Sequence, residues 1–203
     1  MKFRSARPAD SSAVVPLVYS SGPAFLDYIF CQHNVQQSQS FMHTAFTQGG
    51  GELGYRNHTV AELDGSVVGA GACFDSTDSF LFNLTGMRQI IQFYGLITGC
   101  QVIRRALGAA TAVPPAAKNQ LYIGHLGISP PCRGQGIGEA LIMHLIQQHR
   151  SQHQAAVLDV SVENPRAQQL YQRMGFRVTA LLRSSLRSPF ATMPDHRRME
   201  MPL

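Results

Sequence analysis

Long apolar runs are missing from this chain: none approaches the ~20 residues that a bilayer-spanning helix requires. The first ten residues, Met1 to Asp10, are charged and lack an apolar signal core, so no secretion signal is expected and a cytoplasmic location is. Cysteine is scarce as well. The four, Cys31, Cys73, Cys100 and Cys132, form no C-x-x-C pair and have no metal-ligand spacing to histidine. That pattern predicts reduced thiols and no metal site. Blocks of like charge are also lacking: the formal charge of +5 is dispersed, apart from Arg183, Arg187, Arg197 and Arg198 near the C-terminus. A nucleic-acid-binding module would therefore rest on net charge alone. There is no internal repeat and no composition break, and 203 residues suit one α/β domain, 1–203, with room for an elaboration.

What is present centres on Arg133-Gly134-Gln135-Gly136-Ile137-Gly138. An apolar run, Leu121 to Ile128, precedes it and a helical pattern opens at about Gly136. Pro130 and Pro131 turn the chain out of the strand. Glycine at every second position strips β-carbons from one side of the turn, so an anion can approach the backbone N–H groups. The helix that follows adds the partial positive charge and unpaired N–H groups of its first turn. The spacing is neither the dinucleotide fingerprint G-x-G-x-x-G nor a triphosphate loop ending in Gly-Lys-Ser/Thr, so the glycines alone are equally a tight strand-to-helix turn.

Along the chain, Lys2 to Ala6 reads as a first strand, and Asp10 as the N-cap of a helix carrying Val14, Val15, Val18 and Tyr19. A second helical stretch holds Phe25, Tyr28 and Ile29, then Val35 to Phe46, and Gly49-Gly50-Gly51 is a hinge. Thr59–Leu63 and Ser66–Phe74, joined by Asp64-Gly65, predict a hairpin with a tight primed turn. Its small residues Gly69, Gly71 and Ala72 leave room for a ligand or a helix. From Asp75 to Gln120, Phe80, Leu84, Met87, Ile91 and Tyr94 step by three and four, predicting an amphipathic helix. A helical piece from Cys100 to Leu107 and a linker from Gly108 to Lys118 follow. Leu141, Ile142, Leu145 and Ile146 form the buried stripe of the helix after the glycine turn. Strands are expected at Ala155–Val162, Phe176–Leu182 and His196–Met201, with a helix opening at Asn164-Pro165 and ended by Gly175.

Leu121-Tyr-Ile-Gly-His-Leu-Gly-Ile128 followed by the glycine turn resembles the acyl-coenzyme A signature of the GNAT acetyltransferase superfamily, Arg/Gln-x-x-Gly-x-Gly/Ala. Arg133, Gly136 and Gly138 fill it. Glu163 to Phe176 resembles the second signature, Asn-x-x-Ala-x-x-Leu-Tyr-x-x-x-Gly-Phe, in the family's order and spacing. The resemblance runs from about Leu121 to Arg183, continues more weakly before Asp75, and is absent between. It implies an α/β (α+β mixed) fold: a central, twisted, mostly antiparallel sheet of about seven strands, helices on both faces, splayed at the acyl-coenzyme A site. The family's link between its third and fourth strands is short, so residues 75–120 are a helical insert: a lid, an oligomer face (hence a homodimer), or a surface helix packed on the sheet. The region between the first two strands shapes the family's substrate entrance, which Phe25, Tyr28, Phe41 and Phe46 would line unless they are core.

The activity this resemblance implies is transfer of an acetyl group from acetyl-coenzyme A, as co-substrate, to a small-molecule or peptide amine. The amine attacks directly in a ternary complex, with no metal and no membrane or nucleic-acid partner. Cys132 lies beside the turn, but nothing near it in sequence pairs with it as a base for an acyl-enzyme route. By resemblance, Arg133, Gly134, Gln135, Gly136, Ile137 and Gly138 hold the pyrophosphate. The backbone of Leu126, Gly127 and Ile128 pairs with the pantetheine, and Asn164 hydrogen-bonds it or simply caps its helix. Tyr171 would protonate the leaving thiolate. Many relatives carry a carboxylate base on the fourth strand, and here none occurs between Lys118 and Cys132. His125 is the imidazole on that strand and the candidate base. Strict alternation, however, points it with Leu121 and Ile123, away from Tyr122 and Gly124, so it is a satisfied structural histidine unless a bulge re-aims it. A water relayed from Tyr122 or Glu62 is the other route. The rival from a different class is a non-catalytic acyl-coenzyme A sensor with the same fold.

Overall fold

The computed structural model describes residues 1–75 and 79–203. The strands are β1 (Lys2–Ser5), β2 (His58–Leu63), β3 (Ser66–Phe74), β4 (Gln120–Ile128), β5 (Ala155–Ser161), β6 (Arg177–Leu182) and β7 (His196–Pro202). They hydrogen-bond in the order β1-β2-β3-β4-β5-β7-β6, antiparallel except where β4 meets β5. The expected mixed, mostly antiparallel seven-stranded sheet is therefore present. Asp64 and Gly65 both adopt positive φ (49° and 77°), the primed hairpin turn that Asp-Gly predicts.

Helices cover both faces. On one lie α1 (Ser11–Ser21), α2 (Pro23–Phe30), α3 (Val35–Gln48), α4 (Ser79–Tyr94) and α5 (Leu96–Ala112), around a core holding Val14, Val15, Phe41, Met42 and Phe46. On the other, α6 (Ile137–His149) and α7 (Pro165–Arg173) pack with Ile123, Leu158, Phe176 and Met199. The stripe Leu141, Ile142, Leu145 and Ile146 is buried, as its spacing predicts. Burial of each such side chain contributes roughly 1.5–3 kcal/mol, which presses α6 and its N-terminal turn onto β4. Tyr28, Phe41 and Phe46 are core rather than entrance residues. Gly71 makes room for a helix: a β-carbon there would meet Leu126 at 2.8 Å and Leu145 of α6 at 3.1 Å.

Three local expectations change. Asp10 does not cap α1 through its side chain, because its carboxylate accepts from the Arg4 guanidinium (2.7 and 3.0 Å) and from Arg7 N–H (2.7 Å). The helix at Cys100 extends from Leu96 to Ala112, so the expected linker begins later than Gly108. Finally, α4 buries Gln89 and Ile90 and leaves Leu84 and Met87 exposed. Its rotation is set by anchors that periodicity does not register. Phe93 and Tyr94 pack on Phe41 at 5.5 and 5.4 Å, the Tyr94 hydroxyl donates to the Phe30 carbonyl, and Gln89 donates to the Gly50 carbonyl. The side chain of Phe80 and residues 76–78 lie outside the described residues.

Among the described residues no single helix is long and apolar enough to cross a membrane. The run Pro8–Ser21 with Pro23–Phe30 is apolar enough only as a pair bent by 102°, and its apolar side chains fill the core.

Gly127 marks the closest approach between β4 and α1. A β-carbon there would sit 2.1 Å from the Leu17 carbonyl oxygen, and backbone cannot swing aside. Gly127→Ala is expected to cost about 3 kcal/mol of stability, the upper end of overpacking effects. Chemical denaturation measures this, and an unchanged midpoint would contradict the seating of α1 on β4.

Candidate active site

The site begins where β4 and β5 part. Their parallel pairing covers only Gln120↔Ala155, Leu121↔Ala156 and Tyr122↔Val157, although both strands continue beyond. From Ile123 onward β4 pairs with β3 alone, so the backbone of Leu126, Gly127 and Ile128 has no strand on its β5 side. The vertex of this gap is locked by charge. Arg198 on β7 grips Asp159 on β5 with two hydrogen bonds (3.0 and 2.8 Å) and donates to the Pro114 carbonyl. Desolvation and the nearby Asp159 carboxylate push the buried Tyr122 phenol far above its usual range, so it stays protonated.

At the open end of β4 stands the glycine turn. Gly134 and Gly136 have φ of 81° and 79°, the left-handed region that glycine enters without strain. Gly136 is the N-cap of α6 and brings no capping side chain. The first N–H groups of a helix find no partner within it, so those of α6 are left for an outside acceptor. A β-carbon at Gly136 would meet nothing within 4 Å, so this side of the turn is open. Gly138 differs: its missing side chain faces Ile128 (3.5 Å) and Leu170 (3.9 Å), making it a packing glycine between α6, β4 and α7. Two cations flank the turn. Arg133 folds back to donate Nε–H to the Ile128 carbonyl (3.0 Å), and Arg166 on α7 brings Nη2 within 3.7 Å of where a Gly134 β-carbon would be. Arg166 was not singled out from the sequence. Gln135 donates to the Pro131 carbonyl at 3.1 Å.

Asn164 caps α7, its side chain accepting from Ala167 N–H at 3.1 Å. Tyr171, on the same helix, packs into the α6-side core with its ring edge-on to Phe176, centroids 6.1 Å apart. Burial pushes its phenol up to about 12. No described residue hydrogen-bonds its hydroxyl.

His125 has φ of 56°, and the β3–β4 register slips between Ala70 and Ala72, so that β4 carries the extra residue of a bulge. The bulge overturns strict alternation. Leu126 takes the place facing α6, and the His125 ring turns to the other face, edge-on to Phe74 (5.4 Å). There Nδ1 lies 3.0 Å from Nε2 of His58, and Nε2 lies 3.5 Å from Oε1 of Glu52. His58 on β2 is 2% exposed and contacts the Gly54 carbonyl through Nδ1 at 2.9 Å. Burial and the neighbouring His125 lower its pKa to about 3, so it is neutral at any working pH. Desolvation opposes ionisation of Glu52, but when Nε2 of His125 carries a proton its hydrogen bond and charge outweigh this and hold the carboxyl below its usual value. The Glu52 side chain is 63% exposed, so solvent screens this pair.

A carboxylate therefore stands beside His125 from outside the strand: Glu52, which was not singled out from the sequence. Its only signal was an acidic residue directly after three glycines. The other expected relay, Glu62, is held by Arg4 at 2.7 Å. Tyr171 and His125 lie on opposite faces of the sheet. Elsewhere, Arg187 joins Arg104 and Arg105 in a cleft of about 530 Å³ lined also by Tyr28 and Phe190. Among the described residues no three His, Cys, Asp or Glu are placed to hold a metal ion.

Comparison with known proteins agrees with this fold. An N-acetyltransferase of Staphylococcus aureus Mu50 superposes with a TM-score of 0.70 at 17% identity, over 99% of this chain and 100% of that one. Another likeness is the structure of yncA from Salmonella typhimurium with its cofactor acetyl-CoA, at a TM-score of 0.54 and 17% identity, over 100% and 94%. In sequence, the chain is 35% identical over 106 residues to probable N-acetyltransferase family 8 member 5 of Mus musculus, covering 52% of this chain and 44% of that protein. It is 35% identical over 88 residues to N-acetyltransferase 8B of Rattus norvegicus, covering 43% and 40%. The chain therefore spans under half the length of these curated relatives. Residues 25–176 match the model of the Acetyltransferase (GNAT) family, which takes in β4, the glycine turn, the bulge at His125 and Tyr171, and the chain belongs to that family.

Proposed function

We propose that this chain is an acetyl-coenzyme A-dependent N-acetyltransferase in which an amine attacks the thioester directly within a ternary complex. The observation that carries the reading is the gap between β4 and β5, with an uncapped glycine-lined helix N-terminus at its open end and Tyr171 and His125 on opposite faces of the sheet. The residues present fit the donor. Gly134, Gly136, Ile137 and Gln135 offer backbone N–H groups to a pyrophosphate, with Arg133 and Arg166 as cations beside it. The backbone edge of Leu126, Gly127 and Ile128, which no strand covers on the β5 side, can pair with a pantetheine arm as an added strand would.

In the transfer, the amine nitrogen bonds to the acyl carbon and loses a proton to His125, while a backbone N–H on the free edge of β4 steadies the developing oxyanion. The carbon–sulfur bond breaks, and the thiolate takes its proton from Tyr171. Solvent then restores both residues. Tyr171 suits the acid because burial keeps it protonated and its hydroxyl is not spent on any described residue. His125 suits the base because the bulge holds it at the gap beside a carboxylate. Residues 1–203 form one domain in this reading, with the α4–α5 insert acting on the acceptor and not the donor.

Two measurements test it. A panel of amines scored for free thiol release should reveal turnover; tight donor binding with no turnover on any amine would favour an acyl-coenzyme A sensor. Gly136→Asn keeps a residue that tolerates positive φ but places a side chain in the open cradle. Acetyl-coenzyme A affinity should fall at least tenfold, about 1.4 kcal/mol. Unchanged calorimetric affinity in the folded variant would remove the cradle from the donor site.

A further inference from the structure

We propose that His58 is a positioning residue: its hydrogen bond decides which nitrogen of His125 carries the proton and leaves Nε2 of His125 as the proton acceptor. The inference rests on the acyl-transfer reading above for its purpose, but its physical content is independent of it.

Hydrogen-bond polarity fixes the protons on both rings. A carbonyl oxygen only accepts, so the 2.9 Å contact between the Gly54 carbonyl and His58 Nδ1 requires a proton on Nδ1. His58 lies in an apolar pocket with Val15, Val18, Met42, Phe46 and Leu53 and has no carboxylate partner among the described residues, so a second proton there would be a buried, uncompensated charge. Its Nε2 therefore carries a lone pair. The facing atom, His125 Nδ1 at 3.0 Å, must then be the donor. In the neutral His125 ring this leaves Nε2 without a proton.

Ring geometry supports the same assignment. The two imidazoles are within 12° of parallel, with centroids 5.2 Å apart. That separation is close to the N–N distance plus one ring radius on each side, so the rings meet edge to edge rather than face to face. An in-plane N–H pointing at an in-plane lone pair demands this arrangement.

The surroundings of Nε2 fit an acceptor of protons. Glu52 is the charged group facing it, at 3.5 Å, and Phe74 presents only an aromatic ring. The Tyr122 phenol, which feels the Glu52 charge, stays protonated. When Nε2 takes a proton, the ring keeps its Nδ1–H bond to His58, and the new charge sits beside the Glu52 carboxylate. The supporting turn is itself held in place: a β-carbon on Gly54 would be 2.5 to 2.6 Å from the backbone of Gly49 and Gly50, so the carbonyl that orients His58 has no freedom to drift.

The tautomer is directly visible in two-bond ¹⁵N–¹H correlation spectra of the histidine-labelled full chain, recorded at alkaline pH, where an ordinary imidazole is neutral. Wild type should show His125 protonated at Nδ1 and bare at Nε2. His58→Phe fills the same apolar pocket but removes the acceptor, so the Nδ1–H form should give way to a mixture or to Nε2–H. Turnover should fall about tenfold or more, with the KM for acetyl-coenzyme A little changed. His58→Gln, whose amide oxygen can stand where Nε2 stood, should recover part of both. A wild-type His125 protonated at Nε2, or a tautomer indifferent to His58→Phe, overturns the proposal, and the wild-type spectrum needs no variant to fold. Failure of the acyl-transfer reading would appear instead as absent thiol release, with the spectrum unaltered.

Discussion

His125→Asn should lower turnover by about 10²-fold or more at neutral pH, within the range of a positioned general base. Asparagine is the suitable replacement because the site demands φ of 56°, a conformation that Asn shares with His more readily than most residues do. The bulge should then survive while the proton acceptor is lost. A protonated alkylamine has a pKa of about 10.4 and cannot attack until it gives up its proton. Near that pH, solvent removes the proton without help. The deficit of the variant should therefore shrink as pH rises, and the acetyl-coenzyme A affinity should stay within a few-fold of wild type. A deficit that is the same at every pH would mean that His125 shapes the site without moving a proton. No deficit at all would remove it from the mechanism.

Tyr171→Phe should lower turnover on the order of 10²-fold and leave folding nearly untouched. The ring packs against Phe176 and the α6-side core, and phenylalanine keeps that contact. No described residue bonds to the hydroxyl, so its removal leaves no buried group unpaired, and stability should move by no more than about 0.5 kcal/mol. The kinetic loss should fall on kcat and not on the KM for the donor, because the proton is needed only as the thioester breaks. Burial holds the phenol at about 12, so the wild-type group remains an acid throughout the neutral range. Equal turnover by the two proteins, with chemistry rate-limiting, would exclude Tyr171 as the acid.

These two residues differ in how they could be found. Tyr171 was legible as a candidate because it fills a family signature laid on a local pattern: Asn164 caps, Pro165 opens, Gly175 closes, and Tyr171 lies on the core-facing side of one short helix. The glycine turn was legible for the same reason, since its open side follows from missing β-carbons and a helix start. Gly138 belongs to that motif but faces Ile128 and Leu170, a fact about three elements meeting. His125 was legible as a residue type and wrongly aimed by alternation, and Glu52 and His58 were not legible as site residues at all.

The sequence by itself determined what depends on neighbours within about a turn of helix or a hairpin. The hairpin at Asp64-Gly65, the buried stripe of α6, the uncapped start of that helix and the caps of α7 are set by backbone sterics and side-chain period. Tertiary structure alone decided which residues became a site. The register slip between β3 and β4 rotates His125 to the other face, because the pairing partner, not the strand's own sequence, places the extra residue of a bulge. Folding the turn before β2 against β4 brings Glu52 and His58 to that ring from 73 and 67 positions away in the chain. The early end of β4–β5 pairing leaves the far part of β4 without a strand on that side. Each of these is a contact between distant segments, where packing and hydrogen-bond satisfaction outweigh local preference.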